Sequence, residues 1–336
     1  MQSGAKRSAP LPARASLARR ITLGSRAAGR VNGSLTGLVV RPTDWRTTTA
    51  SRVQTPMELH IFLAVLGAAL MHAGWNAVVK GGTDPFVTVT QISLFSGGIA
   101  LCCLPFVKVP AADVWPWLGA SAAIHTLYRF MLIGAYRAGD MAQVYPIMRG
   151  AAPMMTALAT ALLIGERVSA VGFAAIAALS LGVFLMSLRG GRVAGFEGRA
   201  VAMALLSAAC TCGYTLADGI GARVNGSGPS YALWMFVLNA VTMQSIALAM
   251  RGSRAYDGLR AHWPVMAGGG AMSMCAYFIV IWAMTQAPIA LVAALRETSV
   301  LFGSLIAIVI LKEVMTAWRA LASGFVLLGM VLLKMA

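Results

Sequence analysis

Beyond residue 56 the chain is a succession of apolar runs, each close to the roughly 20 residues that an α-helix needs to cross the hydrocarbon of a bilayer. Ten runs can be drawn, over 58–79, 87–107, 114–137, 141–164, 168–188, 199–221, 230–250, 262–284, 288–311 and 315–334. The connections are short and rich in turn residues, as in GGTDP, RAGD and NGSGP. The longest, RGGRVAGFEGR over 189–199, lies at the midpoint and divides the runs into two sets of five. The pattern predicts an all-α polytopic membrane protein of ten transmembrane helices.

The two sets echo each other. VYPIMRGAAPMMTALATALLIGE in the fourth run is matched by VAALRETSVLFGSLIAIVILKE in the ninth, and in each an arginine precedes the terminal glutamate by 17 residues. Arg149 thereby corresponds to Arg296, and Glu166 to Glu313. A weaker echo lays AGWNAVVKGG (73–82) over CGYTLADGIG (212–221), pairing Gly74 and Trp75 with Gly213 and Tyr214. Five helices per repeat is an odd number, so the second copy enters from the opposite side. The expectation is two inverted five-helix repeats, 57–188 and 197–336, with a site near the midplane between them.

Composition agrees with the runs. Hydrophobic residues are 58% of the chain and charged residues 11%, with a mean hydropathy of +0.75, whereas soluble domains carry roughly one-quarter charged residues. The net charge of +16 resembles a nucleic-acid signal until it is located. Residues 1–56 hold ten Lys and Arg against the single acid Asp44, which leaves +7 for everything after them. That segment lacks an apolar core and reads as a disordered basic arm or an over-extended start before Met57. A transit peptide is the other reading of its composition. All five cysteines lie inside apolar runs and read as packing residues rather than disulfide partners or metal ligands.

Polar residues inside the runs are the candidate chemistry, because a charge at mid-bilayer costs roughly 2.5 to 3.5 kcal/mol even on the lenient insertion scale. His72 and Asn76 are four apart, as are His125 and Arg129, and Tyr145 and Arg149, so each pair shares a helix face. Asp218 lies in the sixth run, and Glu297 follows Arg296 in the ninth. Trp75 and Tyr214 offer aromatic walls. These eleven residues, His72, Trp75, Asn76, His125, Arg129, Tyr145, Arg149, Tyr214, Asp218, Arg296 and Glu297, are the expected binding set. Arg129 is also placed to pair with Asp218. Pro146 and Pro153 flank Arg149 and are expected to loosen helix bonds there. Glu166 and Glu313, beside Arg167 and Lys312, read as interfacial ion pairs at helix ends and stay outside the set.

Ten spans in two five-helix repeats, a Gly-Trp in the first helix, and fourth and ninth helices ending in GER and KE resemble the EamA-type members of the drug/metabolite transporter superfamily over residues 57–336. The resemblance implies helices one to four and six to nine around a central cavity, with helices five and ten packed outside. It has no counterpart for residues 1–56 and fixes no substrate.

The combined expectation is a secondary transporter of a small anionic or zwitterionic metabolite, working by alternating access in a bacterial-type inner membrane. No G-x-x-x-x-G-K-[ST] motif occurs, so a gradient or the substrate itself supplies the energy. No enzyme activity, cofactor, metal or nucleic-acid partner is expected. The expected partners are the bilayer, the substrate, a proton or other coupling ion, and a second copy of the chain. The competing class is an integral-membrane enzyme acting on lipid through His72 or His125, and a scaffold without transport is a third. A chain begun at Met57 should insert and keep its melting temperature, since the membrane domain starts afresh there; loss of insertion in a membrane-fractionation assay would make residues 1–56 a signal.

Overall fold

The computed structural model describes residues 57–82, 84–138, 141–187, 198–309, 312 and 315–336, leaving out the side chains of 80, 133, 135–138, 141–146, 187 and 307. The basic segment, the midpoint connection over 188–197 and Glu313 lie outside the described residues, as does the side chain of Tyr145. All described residues belong to one compact unit, Pro42–Ala336.

Among the described residues every regular element is a helix: α1 Leu59–Gly81, α2 Pro85–Cys103, α3 Trp115–Ala138, α4 Met141–Leu163, α5 Ala170–Ser187, α6 Gly198–Val224, α7 Gly228–Arg251, α8 Leu259–Gln286, α9 Ile289–Arg296, α10 Ser299–Val309 and α11 Ala317–Met335. Local chemistry sets their starts. Asp84 caps α2 by accepting from the Phe86 and Val87 N–H groups, with Pro85 at the first helical position. Ser227 caps α7 and Thr316 caps α11 in the same way. Seven spans are long and apolar enough to cross a membrane: Leu59–Val79, Pro85–Phe106, Gly198–Val224, Gly228–Tyr256, Leu259–Gln286, Ile289–Ile306 and Ala317–Met335. Two shorter apolar helices, Ile147–Leu163 and Ala170–Met186, accompany them. Large apolar side chains point outward all around the bundle, Phe106, Leu162 and Val331 among them. Water would penalise that surface, and lipid does not.

The helix ends show one parallel between aligned positions and overturn one expectation. Gly165 takes the left-handed conformation at φ +67 and ends the helix, with the Glu166 N–H returning to the Thr160 carbonyl at 3.1 Å. Lys312, the position that the repeat aligns with Gly165, is also left-handed at φ 54, although a side chain is disfavoured there. Conversely, α4 runs unbroken through Pro146 and Pro153. The interruption falls in the ninth segment, between Arg296 and Ser299, where no proline stands. There the ladder tightens to i→i+3 bonds: Glu297 N–H to Ala294 O, Thr298 N–H to Leu295 O and Val300 N–H to Glu297 O. The Thr298 hydroxyl takes the Leu295 carbonyl as well, at 2.7 Å, and so competes with the regular ladder.

Packing is closest where side chains vanish. α5 and α11 lie against each other through two reciprocal glycines. A Cβ on Gly182 would stand 2.8 Å from the Val326 nitrogen and 2.9 Å from the Ala322 oxygen; one on Gly329 would stand 2.8 Å from the Leu179 nitrogen and 2.9 Å from the Ala175 oxygen. Between helices surrounded by apolar lipid, such backbone approach supplies the dispersion contact that holds them. α3 packs on α6, α1 on α8, and α2 on α7 and α8, which brings first-half helices onto second-half ones. Gly182→Leu should therefore lose about 1–3 kcal/mol from overpacking and lower the melting temperature in detergent, whereas Gly324→Leu, where a new Cβ meets nothing within 4 Å, should leave it unchanged.

Candidate functional site

Two buried carboxylates organise the polar interior. Glu297, 1% exposed, sits at the helix break and is shared by two arginines. Arg149 Nη1 of α4 lies 3.2 Å from Glu297 Oε2, and Arg296 Nη2 lies 3.2 Å from Glu297 Oε1. Adjacent residues on a regular helix point about 100° apart and do not face each other. The i→i+3 turns between α9 and α10 are what accompany the meeting of Arg296 with its own neighbour. The two arginines aligned by the internal repeat thus converge on one carboxylate. Arg149 also places Nη2 3.1 Å from His72 Nε2 of α1. His72 is held by its own helix: Trp75 Nε1–H donates to His72 Nδ1 at 3.3 Å, and Asn76 Nδ2 donates to the His72 carbonyl at 2.7 Å.

The second carboxylate, Asp218 of α6, is fully buried. Tyr277 of α8 donates its hydroxyl to Asp218 Oδ2 at 2.6 Å, and Tyr231 of α7 donates to Oδ1 at 3.1 Å. His125 Nε2 of α3 stands 3.5 Å from Asp218 Oδ2, not aligned as a hydrogen bond. The His125 ring stacks on Tyr214 at 4.0 Å between centroids and 16° between planes. Tyr277 joins the two groups, since the Arg296 guanidinium lies 5.9 Å over its ring while its hydroxyl holds Asp218. A polar track therefore runs from His72 through Arg149, Glu297, Arg296 and Tyr277 to Asp218.

Ten of the eleven expected residues have described side chains. His72, Trp75, Asn76, Arg149, Arg296 and Glu297 form one group, and His125, Tyr214 and Asp218 the other. Arg129 departs from expectation: it does not pair with Asp218, whose oxygens are taken by tyrosines, and its Nη1 is buried without a hydrogen-bond partner among the described residues. Tyr231 and Tyr277 were missed. Their signal was a single hydroxyl on an aromatic ring within an otherwise apolar run, which periodicity cannot separate from packing.

A third node closes one end of the bundle. Glu166 pairs with Arg223, at the last turn of α6, and not with adjacent Arg167: Arg223 Nη2 donates to Glu166 Oε1 at 3.0 Å. The same guanidinium donates to the carbonyls of Met284 at 2.8 Å and Ala287 at 3.0 Å. Glu166 in turn accepts the Ile289 N–H at 3.1 Å and the Ala290 N–H at 3.4 Å, satisfying the first donors of α9 where its dipole favours an anion. At the far end of α7, Asp84 pairs with Arg251, whose hydrogen bond holds the Asp84 carboxyl below the usual carboxylate range. α7 begins beside the Arg223 turn and ends at Arg251, so about 36 Å separate these two pairs along its 24 residues.

An apolar outer surface around charge-bearing helices defines an integral membrane protein. Residues 198–335 match the EamA-like transporter family, part of the drug/metabolite transporter superfamily, and the resemblance read from the sequence holds over that half. The family that this segment resembles is one of membrane transporters. One solved crystal structure of a protein is 18% identical, with a TM-score of 0.64 over 81% of this chain and 94% of that chain, a likeness of fold. No curated protein matches the chain.

Removing the shared carboxylate leaves two buried guanidiniums facing each other. Glu297→Gln should therefore lower the melting temperature, with a loss of about 3–5 kcal/mol, and Arg149→Gln combined with it should recover part of that loss in the same thermal-shift measurement.

Proposed function

We propose that the protein is a secondary transporter that carries a small anionic or zwitterionic metabolite across a bacterial-type inner membrane by alternating access, through ten spans in two inverted halves, 57–188 and 197–336. The observation that carries this reading is that the buried ionic groups pair across the halves. Arg149 of the first half meets Glu297 of the second, and His125 meets Asp218. A merely structural core has no need to concentrate its charge along the seam between two halves, whereas halves that rock about a polar substrate need a seam that can be wetted from either side.

The end pairs suit the same cycle. Glu166 with Arg223 and Asp84 with Arg251 each tie a first-half residue to a second-half one, at opposite ends of α7. Breaking one pair while the other holds opens one mouth at a time. His72, His125, Asp218 and Glu297 are protonatable groups along the track and are the candidates for coupling transport to a proton gradient.

Purified protein in proteoliposomes tests the reading. Labelled small carboxylates should exchange by counterflow, and an imposed pH gradient should drive them uphill. Asp218→Asn should keep counterflow and lose the uphill component; gradient-driven uptake unchanged in that variant points to a facilitator or another ion. Conversion of the substrate, rather than its movement, would refute a transporter.

A further inference from the structure

We infer that Arg129 is the anchor for the substrate's acid group and that the substrate binds with one net negative charge. This rests on the transporter reading above and sharpens it from anionic or zwitterionic to monoanionic.

The charge count and the geometry agree independently. Three arginines, Arg129, Arg149 and Arg296, stand well inside the described helices against two carboxylates, Asp218 and Glu297. That leaves one positive charge in excess. The three guanidiniums are placed unequally. Arg149 and Arg296 both reach Glu297 at 3.2 Å, Arg149 also faces His72, and Arg296 covers Tyr277. Asp218 is committed to Tyr231, Tyr277 and His125. Arg129 has its Nη1 buried with no hydrogen-bond partner among the described residues. A guanidinium keeps its charge at any physiological pH, so deprotonation does not relieve a buried Nη1 that lacks a partner. The planar donor fork of a guanidinium matches a carboxylate in shape and charge. A monocarboxylate balances the count of these five described groups; a zwitterion leaves the excess, and a phosphate dianion overshoots it.

The surroundings describe the rest of the ligand. Arg129 lies one turn from His125, on the same face of α3, and His125 stacks on Tyr214. Tyr128 meets the Tyr214 ring edge-on at 5.9 Å. Aromatic surface beside this guanidinium favours an acid attached to a flat, apolar body.

Thermal shift and calorimetric titration of the full chain in detergent, with benzoate, its neutral isostere benzamide, and choline, test this. Benzoate should raise the melting temperature of the parent while benzamide and choline do not. Arg129→Gln should abolish the benzoate shift and, having lost an uncompensated buried charge, melt at or above the parent temperature without ligand. Arg129→Lys, which keeps the charge but not the fork, should bind benzoate at least tenfold more weakly. An unchanged benzoate shift in Arg129→Gln overturns the inference while leaving the anion transporter standing, and so does a ligand-free melting temperature lowered as far as that of Arg149→Gln, which makes Arg129 structural. A parent stabilised by choline and not by benzoate overturns the anionic reading itself, and a parent stabilised by neither overturns the monocarboxylate assignment.

Discussion

The structure depends on one constraint: a charge held where lipid surrounds the protein must find its counter-charge inside the protein. Glu297 meets it for two arginines at once. That sharing ties α4 to the ninth segment and requires two neighbouring side chains, Arg296 and Glu297, to approach each other. The helix yields at that point, with i→i+3 turns and a Thr298 hydroxyl absorbing the change. The break is where electrostatics and regular helix geometry conflict, and electrostatics prevails because an unpaired buried charge costs more than a few weakened backbone bonds.

The same constraint explains how labour is divided among the helices. α5 and α11 hold together without an ion pair among the described residues, since Gly182 and Gly329 let their backbones touch and Trp318 Nε1–H donates to the Leu185 carbonyl at 2.7 Å. Dispersion and one neutral hydrogen bond join them. The helices that carry charge also meet across the two halves, and each carboxylate combines a near partner with a distant one: Glu297 takes Arg296 and Arg149, and Asp218 takes Tyr231 and Tyr277. Tyr277 gives the interior its continuity. Its ring supports Arg296 and its hydroxyl supports Asp218, so a change at either carboxylate is felt at the other through one rigid side chain.

At the ends of the bundle, charge serves helix termini as much as it serves pairing. Glu166 fixes Arg223 and also satisfies the opening N–H groups of α9, while Asp84 caps α2 and holds Arg251. Each acid couples a local helix signal to a contact with the other half. A relative movement of the two halves would therefore change the capping of a helix as well as an ion pair.

Much was legible in the sequence because it is governed by short-range rules. Apolar run length and composition determined a helical membrane protein, and the equal spacing of Arg149 to Glu166 and Arg296 to Glu313 suggested an alignment that sets Lys312 over Gly165, two positions whose backbones are both left-handed. Helical spacing put His72 with Asn76 and His125 with Arg129 on shared faces. Pairing was not legible, because it depends on which helices lie side by side. Only the tertiary structure gave Asp218 to Tyr231 and Tyr277 instead of Arg129, gave Glu166 to Arg223 instead of Arg167, and moved the helix break from the prolines of α4 to the proline-free ninth segment. Proline only weakens a helix locally, and neighbouring helices can re-satisfy what it frees. A carboxylate between two guanidiniums imposes a geometry that a regular helix does not provide, and that demand arises only after distant segments have come together.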